Sequence, residues 1–291
     1  MDDAPFRPDN LHFRNALRVF AESEEKTQSQ RHIKPLHQYL SLRLVIEGGF
    51  DPDEVTPHPP IRSEAVKGGY PLLHFDPEAE TTAERTVLGG LKTKDIDVVV
   101  TKKNIGPVLA ISVKGATGAF RNLTNRMEEA IGDSTNLHIM YPGLVYGFFQ
   151  VIRGNREGET GLSRNDIAVD AEGSVVGSIR RYHNALAELS GRRFVRDDLT
   201  RYERVAFAVA DTVPDRLGEV LDCYPPSESP LRVEGFFRFL LDVYDLRFPY
   251  AGPSLRSLKR NIWSENSPAF RALGGDRQME EVLGYEARLG A

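Results

Sequence analysis

Four residues near the middle of the chain have side chains that, brought together, would form a Mg²⁺ site with an ammonium group beside it. They are Asp97, Ser112, Lys114 and Glu128. Two carboxylates in one pocket are suitable ligands for Mg²⁺, and an ammonium group beside them can activate a bound water or stabilise negative charge. Because these residues are far apart along the chain, this chemistry depends on the elements that position them.

Two β-branched segments predict a hairpin that would hold three of the four side chains. Residues 96–101 and 108–114 have the composition of strands, and residues 102–107 between them are typical of a turn. With the turn centred on Asn104 and Ile105, the first strand would run antiparallel to the second.

The register of this hairpin decides which side chains meet. Asp97 would lie roughly opposite Ser112, and Asp95 roughly opposite Lys114. Ser112 and Lys114 share a face because side chains alternate along a strand. A lysine at the end of a buried strand needs a carboxylate partner, because an unpaired buried ammonium is costly. A cross-strand ion pair that only stabilises the sheet is the alternative. The opposite face would join the core through Val98, Val100, Ile111 and Val113.

A helix predicted over residues 120–131 follows the hairpin and is expected to end at Gly132. It carries Glu128 and Glu129, which follow Lys114 by 14 and 15 residues. A short loop would fold this helix back against the hairpin, so that one of the two carboxylates reaches the lysine. The sequence leaves open which glutamate does so.

This arrangement resembles the PD-(D/E)XK nucleases, in which an Asp before an apolar strand is followed by a second strand ending in acid-X-Lys and then by a helix. Here the motif reads Ile111-Ser112-Val113-Lys114, with serine at the acidic position. It is similar in this respect to type II restriction endonucleases that have Ser-Val-Lys and take the missing carboxylate from the next helix. The resemblance covers residues 33–152, with a possible extension to 211.

The resemblance implies a Mg²⁺-dependent endodeoxyribonuclease that cuts double-stranded DNA at specific sites. Asp97 and Glu128 would bind the metal, with Ser112 in the catalytic centre, and Lys114 would position or deprotonate the attacking water. The family also implies a further upstream glutamate, for which Glu47 is the candidate and Glu64 and Glu84 are the alternatives. Cutting both strands symmetrically needs two active sites, which predicts a homodimer.

Polar residues at the start of the predicted helix are candidate DNA contacts. Arg121, Asn122, Asn125 and Arg126 offer donors for phosphates and base edges. An ordinary loop and helix start is the alternative. The net charge of −5 gives no support to a nucleic-acid partner, although 28 of the 37 basic residues are arginine.

The order of predicted elements between residues 33 and 210 is helix, hairpin, helix, strand, helix, strand. This order predicts an α/β protein with a restriction-endonuclease-like core, in which a central mixed β-sheet is flanked by helices, with N- and C-terminal helical additions. We expect one nuclease domain over residues 1–291, with its core at about 33–211 and a C-terminal helical extension over 212–291. The other predicted segments are helices at 11–21, 33–47, 175–189 and 233–244, strands at 144–152 and 204–210, and a loop at 51–81.

Composition excludes several other classes of protein. A single cysteine, Cys223, allows neither an intrachain disulfide nor a cysteine-based zinc site. Residues 1–5 are acidic and lack the apolar segment of a leader, and no apolar run is long enough to cross a membrane. These features predict a cytoplasmic protein that does not contact a membrane. The histidines show no ligand spacing and are expected to be structural or on the surface; they include His32, His37, His58, His74, His138 and His183.

Two other functions stay open from the sequence. A nucleotidyltransferase would use Asp95 and Asp97 after Gly89-Gly90, but too few residues separate the glycines from the aspartates, and Lys114 would have no role. A non-catalytic DNA-binding or defence-complex subunit would explain serine at the acidic position. Among nucleases, a repair or junction-resolving enzyme is a further alternative.

Overall fold

This computed structural model describes residues 6–23, 31–196, 198–249, 253–274 and 276–290. The expectation about a leader concerned residues 1–5, which lie outside these ranges. Among the described helices, none is both long enough and apolar enough to cross a membrane.

Along the described residues, two helices are followed by seven strands, and from residue 123 to residue 264 helices and strands alternate. The helices are α1 (Phe13–Glu22), α2 (Lys34–Ile46), α3 (Leu123–Met140), α4 (Gly177–Glu188), α5 (Phe236–Arg247), α6 (Pro268–Arg271) and α7 (Asp276–Leu283). The strands are β1 (Val55–Thr56), β2 (Ile61–Glu64), β3 (Leu72–Phe75), β4 (Arg85–Leu88), β5 (Thr93–Ile96), β6 (Val98–Lys102), β7 (Gly106–Ala116), β8 (Val145–Arg153), β9 (Arg204–Ala210), β10 (Trp263–Ser264) and β11 (Leu289–Gly290).

A five-stranded sheet in the order β1-β6-β7-β8-β9 forms the centre of the protein. The pairs β1–β6 and β6–β7 are antiparallel, whereas β7–β8 and β8–β9 are parallel. The predicted α/β class with a central mixed sheet is therefore confirmed. Smaller two-stranded ribbons pair β2 with β3, β4 with β5, and β10 with β11.

The β6–β7 hairpin has the predicted register from Val98 to Val100, and the register shifts by one residue between Val100 and Thr101, next to the turn. Val98 pairs with Ile111, and Asn104 in the turn has a φ of 65°, a left-handed conformation that asparagine adopts more readily than most residues. The four residues predicted to face the core are buried in one cluster, and they are Val98, Val100, Ile111 and Val113. Val99 and Ala110 alternate with them and belong to the cluster on the other face.

Helices cover both faces of the sheet, as the almost continuously apolar strands β8 and β9 require. Residues of α1, α2 and α5 bury their apolar side chains in the first cluster, and residues of α3 and α4 do so in the second. Phe236, Trp263 and Tyr285 join the same cluster as Leu40 of α2. The segment after residue 211 is therefore integrated into the core of the protein.

Three predicted segments differ from the structure. The predicted loop over residues 51–81 contains β1, β2 and β3, and residues 85–96 form a ribbon of two short strands that was not predicted. Helix α3 does not end at Gly132 but continues to Met140. A glycine inside a helix costs only about 1 kcal/mol, and Ala130 and Leu137 on either side of it are buried against the sheet.

Candidate active site

Asp97 lies at the bend between β5 and β6 and is 8% exposed. Its Oδ2 accepts hydrogen bonds from the Val113 backbone N–H at 2.7 Å and from Ser112 Oγ at 3.2 Å. The predicted position of Asp97 opposite Ser112 is confirmed. Ser112 supports the aspartate as a hydrogen-bond donor, so it holds the carboxylate in place and does not substitute for a second acid.

Glu84 reaches Asp97 because of the β4–β5 ribbon. Arg85 pairs with Ile96 in this ribbon, so the next positions outward, Glu84 and Asp97, face each other across its open end. His37 approaches from α2. One ligand atom each from His37, Glu84 and Asp97 lie within 4.8 Å of one another, and among the described residues this is the group of His, Cys, Asp and Glu side chains with the geometry of a metal site.

The polar atoms of this cluster fit a divalent cation. His37 is 4% exposed, and its Nε2 and the Oε1 of Glu84 are buried without a hydrogen-bond partner among the described residues. Buried polar atoms without a partner each cost about 1–3 kcal/mol, and a cation bound between them would remove this cost. Burial lowers the pKa of His37 despite the nearby carboxylate of Asp97, so the imidazole is neutral at neutral pH and has a lone pair for a metal.

We expect Glu84→Gln to stabilise the protein when no cation is bound. Burial, and then the carboxylates of Asp97 and Asp95, raise the pKa of Glu84. Ionising this group therefore costs more in the folded chain than in the unfolded chain, and the cost develops as the pH rises from the ordinary pKa through the raised one. Thermal unfolding in EDTA should give the variant a higher Tm than the wild type near neutral pH, and this advantage should shrink at about pH 4, near the ordinary pKa of a glutamate.

Glu128→Gln is the matched control for this measurement, because Glu128 is exposed on α3. We expect its Tm to equal that of the wild type at both pH values. An equal Tm for Glu84→Gln and wild type near neutral pH would mean that ionisation of Glu84 does not destabilise the folded protein.

Lys114 lies on the same face of β7 as Ser112, and its Nζ is 3.3 Å from Glu129 Oε1. Burial lowers the pKa of Lys114, but the carboxylates of Asp97 and Glu129 more than offset this effect, so the pKa is raised. The side chain is therefore an ammonium at neutral pH. Of the two roles considered from the sequence, this charge state favours charge stabilisation over removal of a proton from water.

The structure corrects the choice of Glu128. Glu128 and Glu129 are both exposed, but the glutamate that contacts Lys114 is Glu129. Consecutive residues of an α-helix are rotated by about 100° because the helix has 3.6 residues per turn. Only one of two adjacent glutamates can therefore face β7, and α3 is oriented so that Glu129 does.

The structure also corrects the prediction that Glu47 is a metal ligand. It follows the last residue of α2 and forms an ion pair with Arg43. His37 lies ten residues earlier on this helix, and ten residues span roughly 15 Å at 1.5 Å per residue. Glu47 is therefore too far from Asp97 to share a cation with it. Of the two alternatives, Glu64 pairs with His74 on the β2–β3 ribbon, whereas Glu84 is in the cluster.

The predicted DNA contacts lie around the start of α3. Arg121, Asn122 and Asn125 are exposed, and Arg126 is half-buried with its charge close to the hydroxyl of Tyr182 on α4. They follow β7, on which Lys114 lies, by a few residues. Their exposure is consistent with contact to a large ligand, and their role stays a prediction.

Asp95 is exposed on β5 and does not face Lys114. Its Oδ1 accepts a hydrogen bond from Thr86 Oγ1 at 2.5 Å across the β4–β5 ribbon. The chain bends at Asp97, so β5 leaves the register of the β6–β7 hairpin and pairs with β4 instead. This geometry weakens the nucleotidyltransferase alternative, which needs Asp95 and Asp97 at one cation.

Sequence reasoning did not assign His37 to the site, and it offered Glu129 only as the alternative to Glu128. His37 has no neighbouring histidine, cysteine or acid at ligand spacing, and its partners come from another part of the chain. The feature that could have led to His37 was the expected ligand from a helix upstream of the hairpin. That helix is α2, but the contributing residue is a histidine in its first half.

Comparisons with protein-family models, with curated proteins and with solved structures found no match. Function is therefore inferred from the residues of the site alone.

Proposed function

We propose that this protein is a divalent-metal-dependent endodeoxyribonuclease that hydrolyses phosphodiester bonds in double-stranded DNA. The observation that carries the proposal is the cluster of the buried His37 and Asp97 with the half-buried Glu84, beside the ammonium group of Lys114. A cation site and a fixed positive charge together are what phosphodiester hydrolysis requires, because the reaction needs an activated water and stabilisation of a negatively charged transition state.

Each residue has a role in this proposal. Asp97, Glu84 and His37 would hold the cation, and Ser112 and the Val113 N–H keep the Asp97 carboxylate in position. A divalent cation bound there would lower the pKa of a coordinated water and polarise the scissile phosphate. Lys114 would bind a non-bridging phosphate oxygen and stabilise its developing charge.

The imidazole of His37 bears on the choice of metal. Mg²⁺ prefers oxygen ligands in an octahedral arrangement, whereas transition metals accept imidazole more readily. The two carboxylates suit Mg²⁺, which is the cation expected from the resemblance. The imidazole of His37, as the third ligand, favours Mn²⁺ over Mg²⁺. Each assay of this protein should therefore be carried out with Mg²⁺ and with Mn²⁺.

More specifically, we propose that the protein is a site-specific restriction endonuclease with a PD-(D/E)XK fold. It is supported by the Ser-Val-Lys motif on β7 and by the residues outside the 33–152 region of resemblance, which are available for DNA recognition. Symmetric cutting of both strands would require a homodimer. Discrete bands from digestion of DNA of known sequence support this form, whereas a smear supports a repair-like nuclease.

The test of the proposed function is Lys114→Met, which removes the charge and retains most of the apolar stem. We expect DNA cleavage to fall by roughly 10²–10³-fold, the typical loss when one group that stabilises transition-state charge is removed. Binding of Mn²⁺ should persist, because Lys114 is not a ligand. The assay follows nicking of supercoiled DNA by purified protein in Mg²⁺ or Mn²⁺.

Lys103→Met is the matched control, because Lys103 is exposed in the β6–β7 turn. Its cleavage rate should equal that of the wild type. Wild-type protein that binds DNA but shows no metal-dependent nicking would favour the non-catalytic subunit instead, and equal rates for Lys114→Met and wild type would exclude the assigned role of Lys114.

A further inference from the structure

Helix α3 carries a polar stripe of Glu129, Asp133 and Asn136. These residues are spaced i, i+4 and i+7, so their side chains lie on one face of the helix. Each contacts a different part of the candidate site. Glu129 contacts Lys114 on β7, Asp133 contacts Lys94 on β5 with its Oδ2 2.6 Å from Nζ, and Asn136 contacts the turn that joins β4 to β5.

Asn136 holds this turn through both ends of its side-chain amide. Its Oδ1 accepts hydrogen bonds from the Leu91 and Lys92 backbone N–H groups at 2.8 and 3.0 Å, and its Nδ2 donates to the Lys92 carbonyl at 3.0 Å. Its own backbone carbonyl accepts from the Gly90 N–H at 2.8 Å. Asn136 is fully buried, whereas Leu91 and Lys92 in the turn are exposed.

Two glycines allow the turn to approach α3 this closely. A Cβ on Gly89 would lie 2.3 Å from Asn136 Nδ2, and a Cβ on Gly90 would lie 2.1 Å from a methyl carbon of Ile139. A larger residue at either position would displace the turn or the α3 side chain that it meets. The turn and the helix are therefore complementary in shape as well as in hydrogen bonding.

The ribbon that Asn136 holds carries two of the three candidate metal ligands at its opposite end. Glu84 immediately precedes β4, and Asp97 immediately follows β5. A two-stranded ribbon is only marginally stable by itself, and the residues of β4 other than Val87 are exposed. The position of the two carboxylates therefore depends on what anchors the ribbon.

We propose that Asn136 is a positioning residue of the metal centre. By anchoring the β4–β5 ribbon on α3, it sets the distance between the carboxylates of Glu84 and Asp97 and the ammonium of Lys114, which the same helix contacts through Glu129. Asp133 acts in the same way on β5 through Lys94. This inference rests on the proposed function, because it assumes that Glu84 and Asp97 bind a cation.

Asn136→Ala tests the proposal through binding of Mn²⁺ to the full-length protein, measured by calorimetry and by the Mn²⁺ electron paramagnetic resonance signal without DNA. We expect the Kd to rise by about 10–100-fold, the typical effect of losing a residue that supports a metal ligand. Amide hydrogen exchange at Leu91 and Lys92 should accelerate in the same variant. Asn136→Asp keeps the oxygen acceptor for these amides, so it should restore much of the affinity, and it also serves if the alanine variant does not fold.

Ser134→Ala is the matched control on the same helix. Ser134 is also fully buried, but its Oγ donates to the carbonyls of Leu199 and Arg201, away from the ribbon. We expect this variant to lose thermal stability and to bind Mn²⁺ as the wild type does.

The outcomes separate the two proposals. The positioning role of Asn136 is overturned if Asn136→Ala binds Mn²⁺ with wild-type affinity, or if Ser134→Ala loses as much Mn²⁺ affinity as Asn136→Ala does. In either case, loss of Mn²⁺ binding in Asp97→Asn would still support the metal site itself. Binding of Mn²⁺ that is unchanged in Asp97→Asn overturns the metal site and the positioning role together.

Discussion

Asp97→Asn is expected to abolish metal-dependent DNA cleavage and to leave the fold intact. The substitution keeps an oxygen that accepts the hydrogen bond of the Val113 N–H, and it removes the negative charge from the centre of the cluster. Because loss of a residue that merely supports a ligand already costs about 10–100-fold in metal affinity, loss of a ligand charge should cost at least on the order of 100-fold. The measurements are nicking of supercoiled DNA, Mn²⁺ binding and thermal unfolding.

Asp95→Asn is the matched control for this result. Asp95 lies two residues earlier, is exposed, and accepts its hydrogen bond from Thr86, so it is not expected to bind the cation. Cleavage and Mn²⁺ binding should both stay at wild-type levels. If Asp95→Asn were inactive and the purified wild type incorporated nucleotides, the nucleotidyltransferase alternative would replace the nuclease.

The thermal unfolding of Asp97→Asn carries separate information. Removing the Asp97 charge relieves its repulsion with Glu84 but also takes a stabilising carboxylate from Lys114. Because the two effects oppose each other, the Tm without added metal should stay close to that of the wild type. A loss of activity together with a large fall in Tm would instead identify Asp97 as a structural residue of the β5–β6 bend.

Glu203→Ala is expected to destabilise the protein more than any other single substitution proposed for it. Glu203 is fully buried, and its Oε1 lies 3.0 Å from an Arg192 nitrogen and 2.5 Å from an Arg247 nitrogen. Its Oε2 accepts a hydrogen bond from the Tyr146 N–H at 2.6 Å. Removing one partner of a buried ion pair costs about 3–5 kcal/mol, and here two arginines would lose their carboxylate. Urea denaturation should show this loss in the free energy of unfolding.

The neighbouring His138 does not compensate for this loss. Burial, and then the positive charges of Arg192 and Arg247, lower its pKa to about 3, so it is neutral over the pH range in which the protein would be studied. The carboxylate of Glu203 is therefore the charge that balances the two arginines. It connects the start of β8, the residues before β9 and the end of α5.

Glu22→Ala provides the contrast for Glu203→Ala. Glu22 pairs with Arg18 one turn away on α1, and both side chains are about half exposed or more. Exposed ion pairs contribute about 0–1 kcal/mol, so this variant should unfold close to the wild type. Similar losses in the two variants would mean that the Glu203 cluster is hydrated and does not stabilise the core in the expected way.

The candidate metal site and the Glu203 cluster illustrate opposite uses of buried charge. At Glu203 each carboxylate oxygen has a donor, so the charges stabilise the structure. At the candidate metal site, Glu84 Oε1 and His37 Nε2 have no hydrogen-bond partner among the described residues, and two carboxylates are adjacent. An arrangement that is unfavourable without a ligand is typical of a functional site, because the missing stabilisation is available for binding.

The amino-acid sequence by itself determined the α/β class, the β6–β7 hairpin and the meeting of Asp97 with Ser112. These features depend on local patterns, namely β-branched segments separated by a turn and the two-residue alternation of a strand. Strand β9, predicted over residues 204–210, has the same bounds in the structure. An unbroken apolar segment of this length is a strong signal because it must be covered on both faces.

Only the tertiary structure decided which residues complete the site. Glu84 faces Asp97 through the register of a ribbon whose mostly exposed strands have no strong pattern, and that ribbon is held by Asn136 from a helix far along the chain. His37 joins them from α2, and the rotation of α3 selects Glu129 rather than Glu128. Local periodicity determines which face of an element is buried, but the relative placement of elements depends on packing between residues that are distant in sequence. The site is made of such contacts, so its full membership could not be inferred before the fold was known.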